Sequence, residues 1–125
     1  MDFFKCEKCG NIVTYASDVK CRSLTCCGQD MTELKANTTD AAQEKHVPVI
    51  TASGSTVTVT VGSVAHPMEE KHYITLIAIE SEQGVQIKKL APAKEPKAVF
   101  ALADGDKLKA AYAYCNLHGL WKAQA

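Results

Sequence analysis

The chain has 125 residues, room for one ordinary domain or for a small stapled domain beside a medium one. Its hydrophobic fraction of 46% and charged fraction of 22% are those of a folded chain, since disordered chains hold fewer apolar residues at higher net charge. Lys and Arg number 14 and so do Asp and Glu; no summed field draws the protein to nucleic acid or anionic lipid, and no apolar run approaches the ~18 residues of a membrane span.

The first ten residues, MDFFKCEKCG, have no apolar stretch behind a basic start, so no secretory leader is expected and the protein is placed in the cytoplasm. In that reducing compartment six cysteines point to metal ligation or redox chemistry before disulfides. Residues 1–36 hold five of them and few large aliphatics, too little apolar surface for a core without a staple. Cys6-x2-Cys9, sixteen intervening residues and then Cys26-Cys27 supply four thiolates in two pairs, the stoichiometry of a tetrahedral site for iron or zinc. Gly10 and Gly28 follow the pairs and permit the tight turns that wrap a metal. Adjacent cysteines point to opposite faces of an extended chain, so Cys26 and Cys27 share a metal only where the backbone turns sharply. This CC arrangement resembles the desulforedoxin module, a small four-cysteine iron site, over roughly residues 3–35. That module has slightly fewer residues between its pairs, and Cys21 falls in the insertion. Cys21 with one of Cys26 and Cys27 is therefore an alternative second pair.

Residues 36–45, ANTTDAAQEK, read as a connector or a single helical turn. Beyond them the texture changes. In TVTVTV, Val57, Val59 and Val61 alternate with threonines at the period of a strand with one buried face. Residues 73–80 are rich in β-branched side chains and form a second candidate. Further candidates are 85–90, 97–103 and 109–115, separated by turn signals at Ser53-Gly54, Gly62-Ser63, His66-Pro67, Gln83-Gly84, Pro92, Pro96 and Asp104-Gly105. The alanines of 109–115 also suit a helix, but the surrounding pattern favours a strand. Short strands at this spacing predict an antiparallel sandwich over residues 37–125.

All four histidines lie in that second part, in EKHVPVI, GSVAHPMEEKH and CNLHGLW. Singly, each is more often a surface or hydrogen-bonded residue than a ligand. Pro67 biases His66 out of helix, and His72 follows at a spacing that is not the i, i+4 pair of a helical zinc motif. Cys115 and His118 form a C-x2-H chelate closed by Gly119. In so short a loop the amides of Leu117 and His118 are placed to point at the sulfur and stabilise its thiolate. Trp121 and Tyr114 flank the chelate and are expected to pack against it.

These three motifs resemble, in order and spacing, those of the superoxide reductase domain of desulfoferrodoxins and neelaredoxins, over residues 44–125. The resemblance implies a mainly β protein: a small rubredoxin- or desulforedoxin-like metal domain, residues 1–36, then an immunoglobulin-like antiparallel β-sandwich, residues 37–125. It implies two mononuclear irons, one held by Cys6, Cys9, Cys26 and Cys27, the other by His46, His66, His72 and His118 in a plane with Cys115 on the axis. Five ligands leave an open position for a small anion, and an axial thiolate pushes electron density toward it. The implied reaction is one-electron reduction of superoxide to hydrogen peroxide, a detoxification in an anaerobe or microaerophile. The EKH motif implies that Lys45 attracts superoxide and that Glu44 closes the sixth position after oxidation. A rubredoxin-like electron donor and a homodimer are further implications. Two other readings stand beside this one: an electron carrier working through the N-terminal metal, and a zinc-stapled binding module.

Overall fold

In the computed structural model, which describes all residues 1–125, the chain divides into two units, Met1–Lys35 and Ala36–Ala125. The first is built from five very short strands: β1 (Phe3–Lys5), β2 (Ile12–Thr14), β3 (Thr25–Cys26), β4 (Gln29–Asp30) and β5 (Thr32–Leu34). An antiparallel sheet of order β2-β1-β5 lies beside the two-stranded ribbon β3-β4. None of these carries a readable alternation, because two or three residues are fewer than the pattern that identifies a strand.

The second unit opens with the helical turn α1 (Gln43–His46) and continues through β6 (Pro48–Ser53), β7 (Thr56–Val61), β8 (Ile74–Ser81), β9 (Val85–Lys89), β10 (Lys97–Ala101), β11 (Leu108–Cys115) and β12 (Gly119–Gln124). They form one sheet of order β10-β7-β6 and another of order β12-β11-β8-β9, all pairs antiparallel. The three-plus-four division is that of a seven-stranded immunoglobulin-like sandwich. Inward residues of both sheets make one core: Val57, Val59 and Val61 from β7, Ile77 and Ile79 from β8, Phe100 from β10, and Ala111, Ala113 and Cys115 from β11. The period-two valines do bury one face of β7, and residues 108–115 are a strand rather than the helix their alanines also permit. Neither β6 nor β12 is evident in the sequence. Pro48 opens one, and the other is hidden behind the chelate that it follows.

Two local features aim residues at the carboxyl end of β11. Tyr114 pairs with Leu76 but Cys115 pairs with Ile74, which leaves Thr75 as an extra residue in β8. Such a bulge re-aims the side chains beside it; here Ile74 and Cys115 both enter the core, each wholly buried. The hairpin β11–β12 then closes on Cys115 opposite Gly119, whose φ of 80° suits glycine and few other residues.

Candidate metal centres

In the first unit the sulfurs of Cys6, Cys9, Cys26 and Cys27 all lie within 4.8 Å of one another. The sharp turn that adjacent cysteines need is present: Cys27 and Gly28 have φ of 53° and 77° and join β3 to β4 across the pair Cys26–Gln29. Two successive positive φ values match a type I′ hairpin, and they bring two neighbouring sulfurs to one side, 3.9 Å apart. Cys9 Sγ is 3.7 Å from Cys26 Sγ. Both separations are edges of a tetrahedron of sulfurs about 2.3 Å from a common centre. Cys9 N–H donates to Cys6 Sγ at 3.4 Å, and this amide is the main influence that draws the Cys6 thiol down to about 6, whereas the thiols of Cys6 and Cys9 push Cys26 up to about 12. Without a cation the cluster resists a second negative charge; a bound metal removes that conflict by replacing the protons. Cys21 lies outside the group, exposed, with its sulfur 3.6 Å from the Tyr15 hydroxyl.

In the second unit three parts of the chain converge. His46 ends α1, where it is buried while Glu44 and Lys45 beside it are exposed. His66 and His72 lie in the segment between β7 and β8, and Cys115 and His118 bracket the β11–β12 turn. The imidazoles of His46 and His66 stand 4.6 Å apart between centroids, His66 and His72 4.7 Å, His72 and His118 5.1 Å, and His118 and His46 4.9 Å. Across the figure, His46 and His72 are 6.5 Å apart, close to the diagonal of a square with those sides. Neighbouring rings meet nearly edge to face, at 75° to 86°. Ligand atoms of His46, His66, His72 and Cys115 lie within 4.8 Å of one another. His118 joins through Nδ1, which is 3.1 Å from His46 Nε2 and 4.0 Å from Cys115 Sγ.

The protonation of these rings decides what the square can hold. His46 Nδ1 faces the Ala42 carbonyl at 2.7 Å and His66 Nδ1 the Pro67 carbonyl at 2.6 Å. A carbonyl only accepts, so each Nδ1 bears the proton and each Nε2 presents a lone pair. Yet the two Nε2 atoms stand 3.1 Å apart. Protonating one would relieve the clash of lone pairs, but burial holds both rings below the ordinary histidine range, His66 at about 4. His72 Nε2 is buried with no partner at all. Lone pairs turned toward one point, with a buried sulfur beside them, fit a metal ion, and the carbonyl bonds behind His46 and His66 fix the ring orientation as carbonyl partners of metal-bound imidazoles commonly do. Burial pushes the Cys115 thiol up, while the amides of Leu117 and His118 hydrogen-bond the sulfur and pull it back, the arrangement the short loop predicts.

Trp121 packs on the site as expected: its ring stacks on His46 at 4.9 Å and 26°, and its Nε1–H donates to the His118 carbonyl at 3.0 Å. Tyr114 does not. It alternates with the core-facing Cys115 along β11 and so lies on the opposite face of the sheet. The sequence reading gives no site role to Asn116, which bonds the backbone around His72, or to Gly62, named only as a turn signal, which lets residues 44–47 approach. The amide side chain inside the C-x2-H loop and the glycine after β7 were the available signals.

Residues 1–34 match the family model described as "Desulfoferrodoxin, N-terminal domain", and residues 38–124 match the one described as "Desulfoferrodoxin". The chain is 49% identical over 123 residues to a desulfoferrodoxin homolog of Archaeoglobus fulgidus, covering 98% of this chain and 96% of that one. It is 49% identical over 125 residues to a desulfoferrodoxin of Nitratidesulfovibrio vulgaris, covering 99% and 96%. Among solved structures, the superoxide reductase of Treponema pallidum superposes with a TM-score of 0.83 at 36% identity, over 98% of each chain.

Proposed function

The chain belongs to the desulfoferrodoxin family of superoxide reductases, and we propose that His46, His66, His72, His118 and Cys115 are the residues that would hold its catalytic iron. The observation that carries this assignment is the square of imidazoles whose lone pairs face one another at 3.1 Å, with His72 Nε2 buried and unpartnered. Four-cysteine ligation by Cys6, Cys9, Cys26 and Cys27 provides the second iron site, and the two sites belong to the domains 1–36 and 37–125.

When bound, the ferrous ion supplies the one electron that, with two protons, converts superoxide into hydrogen peroxide. The protein does the rest. The amides of Leu117 and His118 hold negative charge on the sulfur in a buried setting, where a thiolate would otherwise be costly. The protonated Nδ1 atoms of His46 and His66 keep their rings neutral and turned inward. Lys45, exposed on the helical turn that buries His46, supplies a positive charge that draws the superoxide anion in and stabilises the charge that grows on reduction. Glu44, its exposed neighbour, closes the site after turnover.

No helix is long and apolar enough to cross a membrane. Six unpaired cysteines support a reducing, cytoplasmic setting. A rubredoxin-like protein as electron donor and a homodimeric state complete the reading. Pulse-generated superoxide added to the reduced holoprotein tests it. Peroxide without stoichiometric dioxygen is expected; dioxygen at half the superoxide consumed would mean dismutation and overturn it.

A further inference from the structure

We propose that Asn116 is a positioning residue for His72, fixing that imidazole through its backbone where the other histidines are fixed through their rings or a tight hairpin. The inference rests on the reading of His72 as an iron ligand. His46 and His66 are each anchored at Nδ1 by a carbonyl. His118 sits in the three-residue turn between Cys115 and Gly119, and its carbonyl receives the Trp121 indole. His72 has no carbonyl bond of that kind at Nδ1; its Nε2 is buried among the other imidazoles without a hydrogen-bond partner, and it lies in the segment before β8, outside any strand.

Asn116 supplies what is missing. Its Nδ2 donates to the Lys71 carbonyl at 2.9 Å, and its Oδ1 accepts from the Tyr73 amide at 2.9 Å. Its own backbone N–H donates to the Tyr73 carbonyl at 3.2 Å. The two remaining backbone groups, the His72 N–H and C=O, are taken by Glu69 at 3.1 and 2.9 Å. Every backbone polar group from the Lys71 carbonyl to the Tyr73 carbonyl is therefore satisfied, three of the five by one residue. A carboxamide carries a donor and an acceptor side by side on one planar group, and that of Asn116 reaches both peptides flanking His72 from this position. Because Asn116 follows Cys115 directly, the clamp also ties the Cys115 loop to the segment that carries His72, a distant part of the chain. Outer partners of this kind commonly set metal affinity by 10-fold to 100-fold.

The test is a double-mutant cycle on the iron-loaded protein, using Asn116→Ala, His72→Ala and the pair. The readouts are the rate of iron loss to a chelator, the ferric absorption and paramagnetic resonance spectra, and the midpoint potential. Asn116→Ala is expected to speed iron loss from this site about 10-fold and to change its ferric spectrum, with the four-cysteine site's absorption unaltered. In the His72→Ala background the same substitution should add nothing, since a residue acting through another is silent once that one is gone. An additive effect, or an unchanged spectrum in Asn116→Ala, overturns the proposal. If His72→Ala itself leaves the spectrum unchanged, the ligand reading fails first and the proposal falls with it. Should Asn116→Ala not fold, Asn116→Asp replaces it in the cycle: it keeps the acceptor for the Tyr73 amide, loses the donor to Lys71, and is expected to give the same pattern.

Discussion

At the scale of single residues, the histidine–cysteine site depends on groups that no solvated protein surface would bring together. Three imidazole nitrogens and a thiol sulfur are buried within 4.8 Å, and in the metal-free state each pays for the others' presence in desolvation and lone-pair repulsion. Cys115 is the member for which no substitute exists, because oxygen is a harder and less donating ligand than a thiolate. Cys115→Ser should abolish turnover with superoxide while the visible absorption of the four-cysteine site persists; retained turnover, followed by rapid mixing, would remove the sulfur from the mechanism. The role proposed for Lys45 is of another kind, exerted at a distance and through solvent. Lys45→Ala should slow the bimolecular encounter and flatten its dependence on ionic strength, since attraction between exposed charges is screened by salt. The check is the second-order rate constant over a salt series.

At the scale of elements, the helical turn α1 is held in place by a glycine. A Cβ built on Gly62 would lie 2.6 Å from the Glu44 carbonyl oxygen, 3.0 Å from the Lys45 carbonyl carbon and 3.1 Å from the Val47 carbonyl oxygen. These are backbone atoms and cannot swing aside. The same carbonyl of Glu44 accepts from Val64 N–H at 2.9 Å and from the Ser63 hydroxyl at 3.2 Å. Gly62→Ala should therefore push residues 44–47 outward, lower stability by about 1–3 kcal/mol as overpacking does, and reduce the rate with superoxide; a denaturant titration and the rate constant check both halves. Far from the site, Asp106 joins two turns, accepting from the Ser81 hydroxyl at 2.7 Å, the Lys107 amide at 2.8 Å and the Gln83 amide at 3.1 Å. These bonds, the Ser81 hydroxyl foremost, hold its carboxyl below the ordinary 3.8. With a folded value below the unfolded one, the stabilisation is complete above the unfolded value and is lost as pH falls through the folded one. Asp106→Asn should flatten the acid limb of a stability profile measured by thermal unfolding, with no change in either iron spectrum.

At the scale of the whole molecule, the two units rest on different forces. The second has a core of interleaved apolar side chains, and Phe100, 2% exposed within it, fills space that nothing else can. Phe100→Ala should cost about 3–5 kcal/mol, read as a shift in denaturant midpoint. The first unit has one fully buried large side chain, Phe3, and five strands of two or three residues; its cohesion falls to the four-cysteine cluster. Much of the sandwich was legible, because β7 has the alternation that a one-faced strand requires and β8 the length and β-branched side chains of a strand. The bulge at Thr75, the strand β12 and the short strands of the first unit were not, since their partners are distant in sequence or their patterns too brief.

Local pattern in the chain already names the chemistry on offer. Thiols in pairs and histidines in three extended motifs named the residues to watch, and short strand candidates at regular spacing named the fold class, because such patterns are local and survive without a partner. Tertiary structure alone decided the arrangement. Cys27 shares a side with Cys26 only through its left-handed turn, His118 turns Nδ1 inward where His46 and His66 turn Nε2, Tyr114 lies on the face away from the site, and Asn116 grips the chain around His72. The inward nitrogen of His118 and the grip of Asn116 depend on contact between segments tens of residues apart, where the geometry is set by strand pairing and packing rather than by the residues' own preferences.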